Sequence, residues 1–505
     1  MRFGTHQLPQ PLKVADADEI IIQMAKSIKE NFIYNMIGTV SGFLFPMITF
    51  PYVSRVIMAE GIGQVQFYIS IINYVVLLTS LGIPLYATRE IARVRDNITD
   101  LSRTTTEIIL LNLILNIVGY AAILVMCFTI DQIMQNIPLF LLLSTSIVLT
   151  TVGCPWFFSG VEDFKYITIR GLIIKVICIV FLFLFVRDKS DLMYYAAYTV
   201  FGSIGNNILN FIRLRRYIRL GTFKPRELKI WRHLKPAFAI FVFNLVTSIY
   251  VNLDKVMVGF LSDNESVGYY TAASTLSHIL LAAVTSLGTV MLPRLSNLVK
   301  QGDMDSFHRL AKKSYNFIVT MSLPICGGLI ILAPSLIRIF SGEIFTPAIP
   351  TLQIISPIIV AIGISNLIGI QVLYPLGKIK IVTISTLVGA IINCTLNFLL
   401  IPNYAQDGAA IATVCAEISV TMTQFIIAGK YIPFKFIDKK IIYCFVATLV
   451  MMLICYLFMT LGCSDVVNLT VVPVIGAIFY GVVMLLAKNE IVIEVLQTVT
   501  GKIKK

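Results

Sequence analysis

Among the ionisable side chains within, or at the ends of, the long apolar runs of this sequence, seven are candidates for chemistry: Arg55, Arg170, Lys175, Asp254, Lys255, His278 and Glu417. An ionised group in hydrocarbon costs several kcal/mol unless it is paired, so each needs a reason to be there. The four cations are the groups required to hold an anion in a low-dielectric cavity. Arg170 and Lys175 are five residues apart, roughly 140° around a helix. Lys175 is near the middle of its run, whereas Arg170 is close enough to the end to snorkel. Asp254 and Glu417 must be protonated or paired. They are candidates for a proton- or sodium-coupling site, or for structural partners of a cation or backbone group. His278, in mid-run, can titrate or serve as a hydrogen-bonded packing residue.

Amides extend the polar set. Asn73, Asn244, Asn252 and Gln371 are placed to meet hydroxyl groups. Asn112 with Asn116, and Asn393 with Asn397, are spaced i, i+4 and share a helix face; hydrogen bonding between helices accounts for such pairs. Enzymatic signatures are missing: the sequence has no phosphate loop, no H-E-x-x-H and no nucleophile elbow. With four histidines in the chain, no catalytic residue, metal or cofactor is expected. The nine cysteines lie mostly in apolar runs, without metal-ligand spacing, and read as small hydrophobes.

The elements that must position these groups are membrane helices. Hydrophobic residues make up 57% of the 505 and charged residues 13%, with mean hydropathy +0.85; a soluble domain is nearer a quarter charged. Segments of about twenty apolar residues occur at 33–54, 64–87, 105–128, 137–158, 167–186, 192–212 and 237–260. They recur at 267–291, 315–337, 349–375, 381–401, 408–429, 441–461 and 467–487. The expectation is an all-α polytopic membrane protein with about 14 spans. Lys and Arg fix the orientation. Only Arg55, Arg187, Lys189 and Arg338 fall in outer loops and Lys175 and Lys255 within spans, which leaves 34 of the 40 on the side of both termini, the cytoplasm. The +13 net charge therefore faces anionic lipid heads, not nucleic acid.

Thr79-Ser80-Leu81-Gly82 recurs as Thr285-Ser286-Leu287-Gly288, and Ser54-Arg55-Val56 aligns with Asp254-Lys255-Val256. Six spans separate the copies, so the halves are parallel repeats about an axis along the membrane normal. This predicts an N-lobe at 31–213, a basic linker at 214–236, a C-lobe at 237–430, and a further helix pair with a tail at 431–505. Residues 1–30 read as a cytoplasmic extension with a surface helix at 20–29. Under the pseudo-twofold, Arg55 and Lys255 should face each other across a cavity mouth; an interfacial anchor for Arg55, and an ion pair with Asp254 for Lys255, are the other readings. Pro46 and Pro51 make the first span the best hinge candidate.

Several stretches resemble the polysaccharide repeat-unit (O-antigen/capsule) flippases of the multidrug/oligosaccharidyl-lipid/polysaccharide exporter superfamily. They include FPYVSRV, GQVQFY and LGIPLYATREIA within 31–95, PWFFSGVEDFKYITIR at 155–170, NLDKVMVG at 252–259, and the run from QVLYPLGKIK to the end of CAE at 371–417. The resemblance implies two six-helix lobes around a central cavity with two additional C-terminal helices, working by alternating access in a bacterial plasma membrane. It implies an undecaprenyl-diphosphate-linked oligosaccharide as substrate, with a proton or sodium counter-ion and a polysaccharide polymerase as further partners. A drug/cation antiporter of the same superfamily would share the fold, but its cavity should be acidic, and the inventory here leans basic. Such a substrate needs cations for its diphosphate, polar groups for its sugars and a lateral opening for its tail.

Overall fold

The computed structural model describes residues 34, 37–38, 41–42, 44–218, 223–434 and 439–499; side chains at 225, 239, 242–251, 287, 289–290, 439–440, 495–496 and 498–499 are not described. The expected extension over 1–30 lies outside the described residues.

The described chain is all helix and turn. Its first half comprises α1 (44–56), α2 (Met58–Ser80), α3 (Ile83–Val94), α4 (Ile98–Thr129), α5 (Ile137–Gly153), α6 (Phe164–Phe185) and α7 (Leu192–Leu214). The second comprises α8 (Leu234–Leu261), α9 (Asn264–Gln301), α10 (Met304–Ser341), α11 (Ala348–Leu373) and α12 (Ile379–Ala428). A hairpin, α13 (Lys439–Met459) and α14 (Asp465–Leu486), and a short α15 (Glu490–Val499) follow.

Among the described residues, 10 helices are long and apolar enough to cross a membrane, and the protein is a polytopic membrane protein. The expected 14 spans are not all met by that criterion. The first span falls partly on undescribed residues, α7 and α8 are not among the ten, and α12 counts once although it folds back on itself.

Polar residues start these helices where the sequence leaves its apolar runs. Asn97 accepts from the Thr99 and Asp100 amides, Asp263 from Ser266 and Asp303 from Ser306, each satisfying otherwise unpaired first-turn donors. α12 reverses at Ala405 (φ 45°, ψ −125°), just after Pro402. Its two legs pack so closely that a Cβ on Gly389 would stand 2.4 Å from the Val420 Cγ2. The first copy of the tetrapeptide repeat ends a helix, with Leu81 and Gly82 both at positive φ, whereas the second stays inside α9. α11 ends in a π-helical stretch, Leu367–Leu373.

Two groups of helices, α2–α7 and α8–α14, meet chiefly where α2 packs on α8 and α9. At the N-terminal ends of α2 and α9 the approach is backbone to backbone. A Cβ at Gly63 would stand 1.6 Å from the Asn264 carbonyl oxygen, and one at Gly268 2.1 Å from that of Ala59. Small residues are what permit such contact between membrane helices.

Candidate functional site

Asp254 is a buried, densely hydrogen-bonded carboxylate on α8. It is 7% exposed and takes four hydrogen bonds. Asn393 Nδ2 (2.9 Å) and Asn397 Nδ2 (2.8 Å) donate to Oδ1; Tyr270 Oη (2.6 Å) and Thr413 Oγ1 (2.8 Å) donate to Oδ2. The donors come from α9 and both legs of α12, so one carboxylate ties three helical segments to α8. The i, i+4 spacing that read as glue between helices serves this carboxylate: both amides of the first leg point at Asp254.

Glu417 is one turn beyond Thr413 on the second leg, hence on the same face, and it is 8% exposed. Its charge and that of Asp254 both act on Tyr270. His278, two turns along α9 from Tyr270, is within electrostatic reach of Lys255 and Asp254. Glu417 and His278 are thus each within electrostatic reach of Asp254 or of its partner Tyr270.

Lys255 does not pair with its neighbour. Adjacent positions on a helix point apart; Lys255 Nζ donates to Gln66 Oε1 on α2 at 3.0 Å, along the seam between the two helix groups. Asn73 of α2 and Asn252 of α8 meet on that seam at 3.4 Å. The Asn244 side chain lies outside the described residues. Lys175 Nζ donates to Ser41 Oγ, ahead of α1, at 2.8 Å.

Arg170 is 7% exposed. Its guanidinium lies over the rings of Tyr166 (4.9 Å) and Phe158 (5.4 Å), and its Nε and Nη1 have no hydrogen-bond partner among the described residues. Beside it Arg213 is bound to Asp163 at 2.8 Å. Gln371 is fully buried in the π-helical stretch, where Gly288 makes room for its amide; it is a packing position, not part of an open polar surface.

Arg55 takes the anchoring position of its two readings. It does not reach across a mouth toward Lys255: its Nη2 donates to the Ile339 carbonyl at 2.6 Å, with the Arg338 and Phe340 carbonyls at 3.5 Å. These are the partly negative carbonyls of the last turn of α10, of which that of Arg338 also accepts from the Gly342 amide, and they are a natural seat for a cation. Arg55 therefore fastens α1 to the C-terminal end of α10.

Sequence reasoning missed three features. Glu107, fully buried on α4, accepts from the Lys229 amide (2.8 Å), Arg232 Nη2 (2.7 Å) and His233 Nε2 (2.9 Å), while Tyr86 Oη and His233 Nδ1 are 2.8 Å apart. This clasp holds the basic linker on α3 and α4. The signal was present as an acid one turn inside an apolar run. A second network joins Arg338 to Asp465 at 2.9 Å, with Ser335 Oγ on the same carboxylate at 2.6 Å, and ties α14 to α10.

The third is an apolar groove of about 730 Å³ bounded by α10, α13 and α14, with Gly328 and Gly481 in its wall. A second cavity of about 390 Å³ continues it to Met47 and Pro51 of α1 and Leu276 of α9, sharing Leu280, Leu329, Leu336 and Leu469. Gly327-Gly328, Gly476 and Gly481 hinted at it, but glycines alone do not distinguish a groove from close packing.

The sequence profile of the family described as "Polysaccharide biosynthesis protein" matches residues 28–299, and the MatE profile matches residues 239–399. An Escherichia coli (strain K12) protein named "Putative O-antigen transporter" is 25% identical over 398 residues, 78% of this chain and 95% of that one. The solved structure of the lipid II flippase MurJ in an inward closed conformation is similar with TM-score 0.74 at 17% identity, covering 91% of this chain and 100% of that one. An inward-facing multidrug transporter of the MATE family is similar with TM-score 0.60 at 13% identity, covering 77% and 94%.

Proposed function

We propose that this chain, which belongs to the family of polysaccharide biosynthesis proteins in the multidrug/oligosaccharidyl-lipid/polysaccharide exporter superfamily, is a lipid-linked glycan flippase. Its substrate in this reading is an undecaprenyl-diphosphate-linked oligosaccharide, carried across the bacterial plasma membrane for surface polysaccharide synthesis, with both termini of the transporter cytoplasmic.

The observation that carries the reading is the apolar groove leading to the gap between α1 and α9. A soluble sugar or a small cationic drug has no need of it; a polyprenyl tail does. The tail lies in the groove while the diphosphate is held between the helix groups by Lys175 and Lys255, with Arg170 nearer the cytoplasmic end of α6. Asn73 and Asn252 offer amides to the sugars. A drug/cation antiporter is the poorer reading, because the acid of the region, Asp254, is already saturated by donors.

Coupling is assigned to the Asp254 hub. Carboxamide groups present oxygen or nitrogen by a half-turn, so Asn393 and Asn397 can exchange their donors for oxygens. With Asp254 and Thr413 they would then surround a sodium ion; a proton on Asp254 is the other form of the same switch. Glu417, which the sequence favours, becomes the neighbour that modulates it.

Deleting the gene in its host tests the function. Surface polysaccharide should be lost and lipid-linked repeat units should accumulate in the cytoplasmic leaflet, with restoration by the wild-type gene. Unchanged surface glycan without such accumulation would refute the reading.

A further inference from the structure

Outside the transport path, the inner end of the C-terminal half carries a cleft of about 620 Å³ walled by α9, α10 and α15. Four cations, Arg294, Arg309, Lys312 and Lys313, face two carboxylates, Glu490 and Glu494, so the cleft carries an excess of two positive charges. Its depth in the membrane is fixed by helix geometry. Arg309, Lys312 and Lys313 precede the apolar run beginning at Tyr315 by six, three and two residues. At 1.5 Å per residue this is roughly 3–9 Å beyond the hydrocarbon, the headgroup layer. Arg294 is the third residue past the run ending at Met291 on the antiparallel α9.

The cleft also adjoins the groove. On α15, Ile491 lines the cleft and its neighbour Val492 lines the apolar groove. A charged cavity at headgroup depth beside lipid-facing apolar surface is fitted to an amphiphile with an anionic head. A free solute would have no use for that depth.

We propose that this cleft binds the phosphate of an anionic phospholipid of the cytoplasmic leaflet, one that is not transported. Arg309 and Arg294 suit bidentate contact with phosphate oxygens, and Lys312 and Lys313 supply point charge. Glu494 occupies part of the site: its carboxylate is 2.7 Å from Lys313 Nζ, with side chains 48% and 54% exposed. An ion pair this open to solvent is weak, so a lipid phosphate displaces it. The displacement frees Glu494 from α10 and loosens α15 at the cytoplasmic end of the groove. The proposal uses the cytoplasmic placement of the chain's ends but not the identity of the glycan.

The test is binding of phosphatidylglycerol to the purified full chain in neutral detergent, read as lipid retained by the intact protein in mass spectrometry. Each cation near such a surface contributes about fivefold in affinity. Arg309→Gln/Lys312→Gln/Lys313→Gln should therefore weaken binding by roughly a hundredfold. Glu494→Gln, which removes the competitor, should tighten it about twofold to fivefold. Zwitterionic phosphatidylcholine should be indifferent to both changes, and millimolar inorganic phosphate should not displace the lipid. Equal phosphatidylglycerol binding by wild type and triple variant, or weaker binding by Glu494→Gln, would overturn the proposal. Displacement by micromolar phosphate would overturn the lipid assignment.

Discussion

At the scale of residues, the carboxylate that organises the membrane region is Asp254. Asp254 collects four donors from three helical segments, so its role as an acceptor is built into the packing. Asp254→Asn replaces an acceptor by a group that must donate. Two of the four hydrogen bonds then face a like partner, and the expected outcome is loss of the sodium or pH dependence of transport. Glu417→Gln should slow transport while keeping that dependence. Flipping in vesicles with sodium and proton gradients imposed separately distinguishes the two; loss of dependence in Glu417→Gln alone would reverse the assignment. Lys175→Ala and Lys255→Ala should each lower surface glycan at unchanged protein level, checked by glycan staining beside an immunoblot. Residue types in apolar runs made these groups visible in the sequence. Their partners were not, because a single sequence does not say which faces of separate helices meet: cavity cation and interfacial anchor are both open for Arg55 in the sequence, and in the structure it fastens on the carbonyls of α10.

At the scale of elements, the linker clasp is the feature with the clearest pH signature. Burial lowers the pKa of His233 below its ordinary value, against the opposing pull of its hydrogen bond to Glu107; Arg232 and Glu90 also act on it. The neutral ring fits its neighbours, with Nε2–H donating to Glu107 and Nδ1 accepting from Tyr86. A folded pKa below the unfolded one means that the stabilisation is complete above about pH 6.5 and is lost as pH falls through the folded value. Hydrogen exchange across residues 223–233, corrected for intrinsic rates, should therefore quicken on going from pH 7.5 to 5.5. Exchange independent of pH would remove His233 from the clasp. Glu107→Ala should destabilise the linker by about 2 kcal/mol and raise its exchange already at pH 7.5. Helix existence was legible throughout from length and apolarity, and many starts from the polar residue before each run. The reversal of α12 was foreseen as a loop near Pro402. The break at Gly82 was not, because a glycine is as acceptable inside a membrane helix as at its end, and only the close backbone of Ala237 and Phe241 decides it.

At the scale of the whole molecule, sidedness and energy meet. Ion pairs join ends expected on one side: Arg95 with Glu162, Arg232 with Glu107 and Lys313 with Glu494 on the inner side, Arg338 with Asp465 on the outer. In a Cys463→Ser background, a cysteine at Asn403 should react with an impermeant thiol reagent in intact cells, whereas one at Lys224 should not; the reverse labelling would invert the orientation. With the termini inside, export of a diphosphate runs down the membrane potential. Two charges crossing 100 mV gain about 4.6 kcal/mol, so the outward step is favoured and the return of the empty carrier is where a coupling ion helps. In the proposed cycle a lipid-linked glycan passes with its tail in the groove. Gly328 and Gly481 line that groove, and a Cβ on either would meet nothing within 4 Å, so Gly328→Phe/Gly481→Phe fills the groove with little strain elsewhere. The direct measurement is the rate at which a fluorescent undecaprenyl-diphosphate-linked oligosaccharide changes leaflet in proteoliposomes, read by an impermeant quencher. The account predicts fast exchange with wild type and exchange near that of empty liposomes with the filled groove. Wild-type protein no faster than empty liposomes, or a filled groove as fast as wild type, would contradict it.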